Sequence, residues 1–314
     1  MRAIAVTEFG GPEALHVVEL PEPHAGPGEV RIRVHAATIN PTDTGLRAGL
    51  RARRGGAELP PPPYVPGMEA AGVLDEIGEG VTTDLRLGEH VMAIVLPRGT
   101  RGGYAEQVVL PAESVVRVPA GASDAEAATL PMNGLTARRA LDLLALPSGG
   151  VLGVTGAAGA VGGYVIQLAK LEGLRVVADA AEADEALVRA LGADDVVRRG
   201  DDVAVGMRAV VPEGVDAVVD AALLNDKIVP AVRDGGRIAS VRPFVGSTER
   251  GIEPILVLVS DYARERDKLD ELRRLVEEGT LTLRVAATYP AEEAPAAHRR
   301  LEAGGVRGRL VLEL

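Results

Sequence analysis

The sequence predicts an α/β protein in two parts, one rich in short strands and one built on a doubly wound parallel sheet. Three observations predict it. Residues 151–170 read as a β-branched strand, a turn made only of Gly and Ala, and an amphipathic helix. From Ser123 onward, strand-like and helix-like segments alternate, a spacing that requires right-handed crossovers and a parallel sheet. Before about residue 120, short β-like runs are punctuated by Pro and Gly, as in an irregular barrel or sandwich.

The early β-like runs are Arg2–Val6, 30–35, 73–77, 90–96 and 106–110. The loop 55–64 contains four consecutive prolines, which donate no backbone hydrogen bonds and hold extended backbone; a lid and an inert connection suit it equally. Helices are expected at 124–129 and 134–144, with Ser123 as N-cap and Glu126 at capping-box spacing. After the glycine turn come strand 174–179, helix 183–191, strand Asp195–Arg198, helix Val203–Val210, strand Val215–Asp220, helix 227–233 and strand 237–241. Residues 264–278 form a charged helix with Leu269, Leu272, Leu275 and Val276 in one stripe, and 309–314 alternate like a strand. No period of 20 to 50 residues recurs.

The 314 residues favour about two domains, and 46% hydrophobic with 25% charged residues describe a globular chain. With 34 basic against 45 acidic residues, the net charge of −11 repels nucleic acid and anionic membranes. The absence of Cys excludes disulfides, thiolate metal sites and cysteine nucleophiles. The five histidines, His16, His24, His35, His90 and His298, show no ligand spacing along the chain, so no metal is expected. The apolar run at the N-terminus is too short for a signal-peptide core, and no uncharged stretch approaches the ~18 residues of a membrane span. A cytoplasmic enzyme is the expectation.

The turn is suited to a dinucleotide. Gly156, Ala158, Gly159, Ala160, Val161 and Gly162 let backbone approach a pyrophosphate, and the positive end of the following helix favours its charge. It departs from strict G-x-G-x-x-G, since Ala157 stands at the first Gly. Asp179 ends the next strand, 20 residues after Gly159, where an acid would meet ribose hydroxyls.

Several further segments carry a family resemblance: Asn40-Pro41-Thr42-Asp43, Pro66-Gly67-Met68-Glu69-Ala70-Ala71-Gly72-Val73, Gly103-Tyr104-Ala105-Glu106, Leu130-Pro131-Met132-Asn133-Gly134-Leu135-Thr136-Ala137 and Gly235-Gly236-Arg237. With the glycine turn, they resemble a zinc-independent medium-chain dehydrogenase/reductase of the quinone oxidoreductase (zeta-crystallin-like) branch. That resemblance implies a GroES-like β domain from residues 1–120 and 283–314, an inserted Rossmann domain at 121–282, and a nucleotide in the cleft between them. Zinc-dependent relatives resemble this chain around a Cys near position 40 and a His before a Glu; here those places hold Asn40 and Met68, poor zinc ligands.

The resemblance also implies roles. Asn40 would hydrogen-bond substrate or ribose, Asp43 would hold its loop, Tyr64 would donate a proton and Glu69 would buttress the site. Asx turns remain alternatives for Asn40 and Asp43, and packing for Tyr64. Asn133 and Thr136 would approach the nicotinamide, with an N-cap the alternative for Thr136. Ser240, Val241, Arg242 and Arg307 would add cofactor contacts, with a solvated surface Arg an equal alternative for Arg307.

For the cofactor, the acid of NAD-specific relatives aligns with Ala180 rather than Asp179, and Glu185 stands where many NADPH users have Lys. Arg199 would clamp a phosphate bidentately, with an exposed Arg in no special contact the alternative. Family habit favours NADPH and the local acids favour NADH; the balance leans to NADP(H), with NAD(H) the alternative.

The implied activity is hydride transfer from NAD(P)H to a quinone or an α,β-unsaturated carbonyl, whose delocalised product anion needs no Lewis acid. An alcohol or carbonyl dehydrogenase, and a non-catalytic crystallin-like nucleotide-binding protein, are the alternatives. The family habit of pairing sheets edge to edge implies a homodimer, with the apolar run 254–260 as its interface or else an internal strand.

Overall fold

The computed structural model describes residues 1–50 and 59–314. The expectation for the loop 55–64 therefore lies partly outside the described residues. Two compact units are present: Met1–Met132 with Ala263–Glu277 and Leu283–Leu314, and Asn133–Tyr262 with Glu278–Thr282. In chain order the first elements are β1 (Arg2–Val6), β2 (Leu15–Glu19), β3 (Glu29–Thr38), α1 (Pro41–Arg47), β4 (Glu69–Ile77), β5 (His90–Ile94), β6 (Gln107–Pro111) and β7 (Val115–Arg117). Then come α2 (Asp124–Ala127), α3 (Pro131–Leu144), β8 (Val151–Thr155), α4 (Ala160–Leu171), β9 (Arg175–Ala180), α5 (Glu185–Ala190), β10 (Asp195–Arg198), α6 (Val203–Val210), β11 (Val215–Asp220), β12 (Val232–Ser240) and β13 (Glu253–Leu256). The last are α7 (Arg266–Glu277), β14 (Val285–Pro290), α8 (Ala294–Glu302) and β15 (Arg309–Glu313).

The first unit holds the β1–β2 hairpin and a seven-stranded sheet ordered β14-β15-β3-β4-β5-β7, with β6 also on β3. The two strands nearest the C-terminus thus pair into the N-terminal sheet, β15 antiparallel to β3. Val30, Ile32 and Val34 alternate along β3 into a core with Leu74, Val91 and Leu110. β4 begins earlier than its apolar run suggests, because Ala70, Ala71 and Gly72 have little strand propensity of their own. They are selected by closeness: a Cβ on Gly72 would lie 2.0 Å from the Arg33 carbonyl oxygen.

The second unit is a six-stranded sheet in the order β10-β9-β8-β11-β12-β13, every neighbour parallel. β8 lies where the order reverses, so the glycine turn leaves the sheet at its switch point. Leu152, Val154, Val176, Val177, Val218 and Val219 are fully buried, the near-continuous apolar strands of a sheet covered on both faces.

Local corrections have local causes. No helix is expected at 41–47, where Asx turns are the alternative for Asn40 and Asp43; Pro41 at N1 and Asp43 at N3 start one. α3 starts at Pro131, three residues before the expected 134, which puts Thr136 inside the helix and removes its N-cap alternative. The expected helix 227–233 is a 3₁₀ segment, Asn225–Ala231, broken by Pro230, and β12 starts at Val232. The run 254–260 divides into β13, at the edge of the sheet, and the 3₁₀ turn Val259–Tyr262. No helix among the described residues is long and apolar enough to cross a membrane.

Candidate nucleotide turn and buried polar centre

In the second unit, β8 ends at Thr155 and the chain turns through Gly156 at φ +68°, a left-handed conformation that favours glycine. A Cβ on Gly162 would lie 2.4 Å from the Gly156 carbonyl oxygen, so α4 can pack onto the turn only with glycine there. Gly159 is the N-cap of α4, which continues for 12 residues from Ala160. The first-turn amides of Ala160, Val161 and Gly162 therefore leave the helix at its positive end.

Ala157, the departure from the glycine pattern, is buried and donates its N–H to Asp179 Oδ1 at 3.1 Å. Asp179 also receives Arg199, Nε to Oδ2 at 3.0 Å and Nη2 to Oδ1 at 3.3 Å. Both carboxylate oxygens are thus committed to holding the turn and orienting Arg199, whose side chain is 40% exposed. Ser240 ends β12, and its buried Oγ has no hydrogen-bond partner among the described residues. Val241 and Arg242 follow it, half-buried.

Asp220 and Thr155 escaped sequence reading. Asp220 accepts from Thr155 Oγ at 2.5 Å and from the amides of Leu224 and Asn225 at 3.0 and 2.8 Å, fixing the next loop at the same strand ends. An acid closing an apolar strand was the available signal. A nucleotide suits this set of residues: a small-residue turn, a helix N-terminus and an orphaned hydroxyl at the carboxyl ends of parallel strands. Asn133 and Thr136 are buried one turn apart on α3.

The first unit has a separate buried centre of Thr38, Asn40, Asp43, Glu69 and Arg309, none more than 6% exposed. Glu69 Oε2 accepts the Met132 amide at 2.7 Å, and Oε1 accepts the Thr38 hydroxyl and Asn40 Nδ2. Arg309 donates from Nη2 to Asn40 Oδ1 and to the Ile39 carbonyl. Asp43 Oδ2 accepts the Asn40 amide at 2.8 Å and Oδ1 the Gly67 amide at 2.9 Å, joining α1 to the segment ahead of β4.

Burial pushes the Asp43 carboxyl up to about 7, against the pull of the Gly67 and Asn40 amides and of Arg309. Burial also raises Glu69, with Arg309 pulling the other way. Arg309 escapes sequence reading because a strand pattern alone does not say which partner meets its charge. β15 lies inside the sheet and is buried on both faces, so a charge there must be paired.

Beside this centre, Arg47 Nη1 donates to His298 Nδ1 at 3.2 Å, leaving Nε2 to donate to the Tyr104 hydroxyl at 3.2 Å. Burial, then Arg47, pushes His298 down to about 3, so the imidazole is neutral. Tyr64 is half-buried and stacks on Phe9, ring centroids 5.1 Å apart. No hydrogen bond among the described residues joins its hydroxyl to Asn40 or Asp43. Arg307 is exposed in the turn before β15, in the first unit.

Residues 26–120 match the alcohol dehydrogenase GroES-like domain, and residues 191–312 match a zinc-binding dehydrogenase family. The quinone oxidoreductase of Lama guanicoe is 30% identical over 338 residues, covering 100% of this chain and 98% of that protein. The chain belongs to the quinone oxidoreductase family of medium-chain dehydrogenases/reductases. The quinone oxidoreductase of Mus musculus is 30% identical over 342 residues, with the same coverage.

Two solved relatives of this family's fold each cover 100% of both chains. One, an NAD-dependent alcohol dehydrogenase, has 32% identity and a TM-score of 0.87. The other, a mycobacterial protein complexed with NADPH, has 28% identity and a TM-score of 0.86. The protein is therefore an NAD(P)H oxidoreductase of the medium-chain fold, with a GroES-like domain and a parallel-sheet nucleotide-binding domain.

Zinc, implied by one family description, does not fit the buried centre. Asn40 Oδ1 is occupied by the Arg309 guanidinium, both Glu69 oxygens are engaged, the adjacent Met68 is a weak donor, and Cys is absent. A dication there would sit against a fixed positive charge.

Proposed function

We propose that the protein transfers hydride from NADPH to a quinone or an α,β-unsaturated carbonyl without zinc. The observation that carries the proposal is the Arg309–Asn40 contact, which puts a guanidinium where a metal-dependent relative would need ligand atoms. The turn Gly156–Ala158-Gly159-Ala160-Val161-Gly162 and the N-terminus of α4 would hold the pyrophosphate, and Ser240 Oγ would add a hydrogen bond. Bound there, the reduced nicotinamide supplies the hydride.

Arg199, half-exposed and oriented by Asp179, is suited to a 2′-phosphate, whereas the committed carboxylate of Asp179 is poorly placed to serve a ribose diol. With every donor and acceptor of its amide already partnered, Asn40 fixes Arg309 and Glu69 rather than meeting substrate directly. Asp43 holds Gly67 and α1 in register with them. Arg309 supplies the positive charge that stabilises a delocalised hydroquinone anion or enolate. Asn133 and Thr136 are the proposed contacts to the nicotinamide. Roles for Tyr64 as proton donor and for Arg242 and Arg307 in cofactor binding have no geometric support of this kind.

Protein dialysed against EDTA and mixed with NADPH and 1,4-benzoquinone is expected to oxidise the cofactor, followed by its absorbance. Arg199→Ala is expected to weaken NADPH at least 10-fold and to leave NADH within 2-fold. No turnover with either cofactor, or activity restored only by zinc, would sink the proposal. Similarity to an NAD-dependent alcohol dehydrogenase favours one second reading, an NADH-using carbonyl reductase, for which Arg199→Ala would leave the preferred cofactor untouched. We also infer a homodimer through the edge strand β13 and the residues just after it, where Leu256 and Leu258 are 41% and 47% exposed.

A further inference from the structure

Far apart in sequence, His35, His90 and Asp124 come together on the first unit. His35 Nδ1 lies 2.8 Å from Asp124 Oδ2, and His90 Nδ1 lies 2.9 and 3.1 Å from Asp124 Oδ1 and Oδ2. One ligand atom from each of the three residues falls within 4.8 Å of the others. The two rings meet edge to face, centroids 5.9 Å apart.

The arrangement is made by the fold at three points. β3 and β4 slip register between Val34 and Ala36, so His35 is the extra residue of a β-bulge, a device that re-aims a side chain. His90 opens β5, on the far side of β4, opposite Val73. Asp124 begins α2, which lies across β3, β4 and β5 and is anchored by the Ser123–Glu126 capping box. On β4, Gly72 pairs with Val34 and Val91, the chain neighbours of His35 and His90.

We propose that His35, His90 and Asp124 form a site for one divalent transition cation of the zinc, nickel or copper class. Two imidazoles and one carboxylate are a borderline-soft donor set carrying one negative charge, matched to such an ion and not to Mg²⁺ or Ca²⁺. Metal–ligand bonds of about 2.0–2.2 Å put neighbouring ligand atoms about 3 Å apart, the separation already present between Asp124 and each histidine. Side-chain exposures of 38% for His35 and 57% for His90 leave remaining coordination positions to water. The ion would replace two hydrogen bonds with a clip joining two strands and the helix that crosses them.

The site shares no residue with the Asn40–Glu69–Arg309 centre. A stoichiometric metal in the purified protein would be a surface ion, not a catalytic one.

Isothermal titration of the untagged, EDTA-treated full chain with ZnCl₂ tests this, paired with thermal unfolding with and without zinc. One ion per chain with micromolar affinity is expected, with a higher Tm in zinc. His90→Ala and His35→Ala should each weaken binding at least 10-fold and abolish the Tm rise. His24→Gln, whose exposed partner is Glu76, should change neither. Both imidazoles are partly exposed, so the variants should fold, and circular dichroism checks this; His90→Gln is the milder substitute. The proposal is overturned if the wild-type chain takes up no zinc below about 100 µM, or if folded His35 and His90 variants bind it as tightly as wild type. Neither outcome bears on NADPH oxidation, which is read separately in the His90→Ala chain.

Discussion

Arg309 does the most with one side chain. Its guanidinium ties β15 to the end of β3 through Ile39 and Asn40, and it offsets carboxyls that burial drives toward neutrality. Removing one member of a buried charged cluster strands the rest, at a cost of about 3–5 kcal/mol. Arg309→Met should therefore lower the free energy of urea unfolding by about 3 kcal/mol and reduce turnover, while Arg309→Lys keeps the charge and recovers only part. An unchanged denaturation midpoint for Arg309→Met would show that the centre does not need the charge.

His298 gives a prediction with a definite sign. Burial, then Arg47, pushes the folded imidazole from the ordinary 6.5 down to about 3, so between those values the unfolded chain holds a proton that the native chain does not. Stability from this group is complete above pH 6.5 and is lost as pH falls toward 3. Asp43, raised from 3.8 to about 7, acts oppositely over much of that range, since the native chain holds its proton and gains stability as pH falls. Comparing wild type with His298→Gln removes the Asp43 contribution. Wild type should lose stability relative to the variant between pH 6.5 and 4, with a slope approaching ~1.4 kcal/mol per pH unit. Parallel curves from denaturant titrations at each pH would refute a neutral buried imidazole.

At the scale of elements, the glycine turn is decided by contact distances. Gly162→Val would push a branched side chain into the Gly156 carbonyl and the Ala157 Cα, 2.4 and 2.8 Å from the Cβ position, and prise α4 from β8. NADPH affinity, read by fluorescence titration, should fall at least 100-fold. Gly159→Ala, whose Cβ would sit 3.0 Å from a single carbonyl oxygen, should be milder. Retained affinity in Gly162→Val would mean the cofactor does not use this turn. The strand-turn-helix was legible because residue type alone encodes it: β-branched run, small residues, amphipathic period. α1 and β4 were not, because Asn40-Pro41-Thr42-Asp43 looks like a turn until Asp43 caps Asn40. Ala70-Ala71-Gly72 looks like nothing until β3 presses on it.

For the whole molecule, the second sheet ends in β13 with its outer edge unpaired among the described strands. Leu256 ends that strand and Leu258 lies two residues beyond it, both exposed, and an uncovered apolar edge invites another copy of the same strand. Leu258→Arg should convert a sedimenting dimer to monomer and leave the monomer folded. A wild-type monomer at micromolar concentration would remove the proposed interface.

The sequence by itself determined the class of the fold, the nucleotide turn and the family, since all three reside in local patterns: the order of small, apolar and polar residues along short stretches. Only the tertiary structure decided what becomes of the charges. Asp179 anchors Ala157 and Arg199, and Arg309 joins the polar centre. Two histidines without spacing met on one carboxylate. The physical reason is that a buried or half-buried ionic group is fixed by the partner that neutralises it, and that partner is brought by sheet pairing from a distant part of the chain.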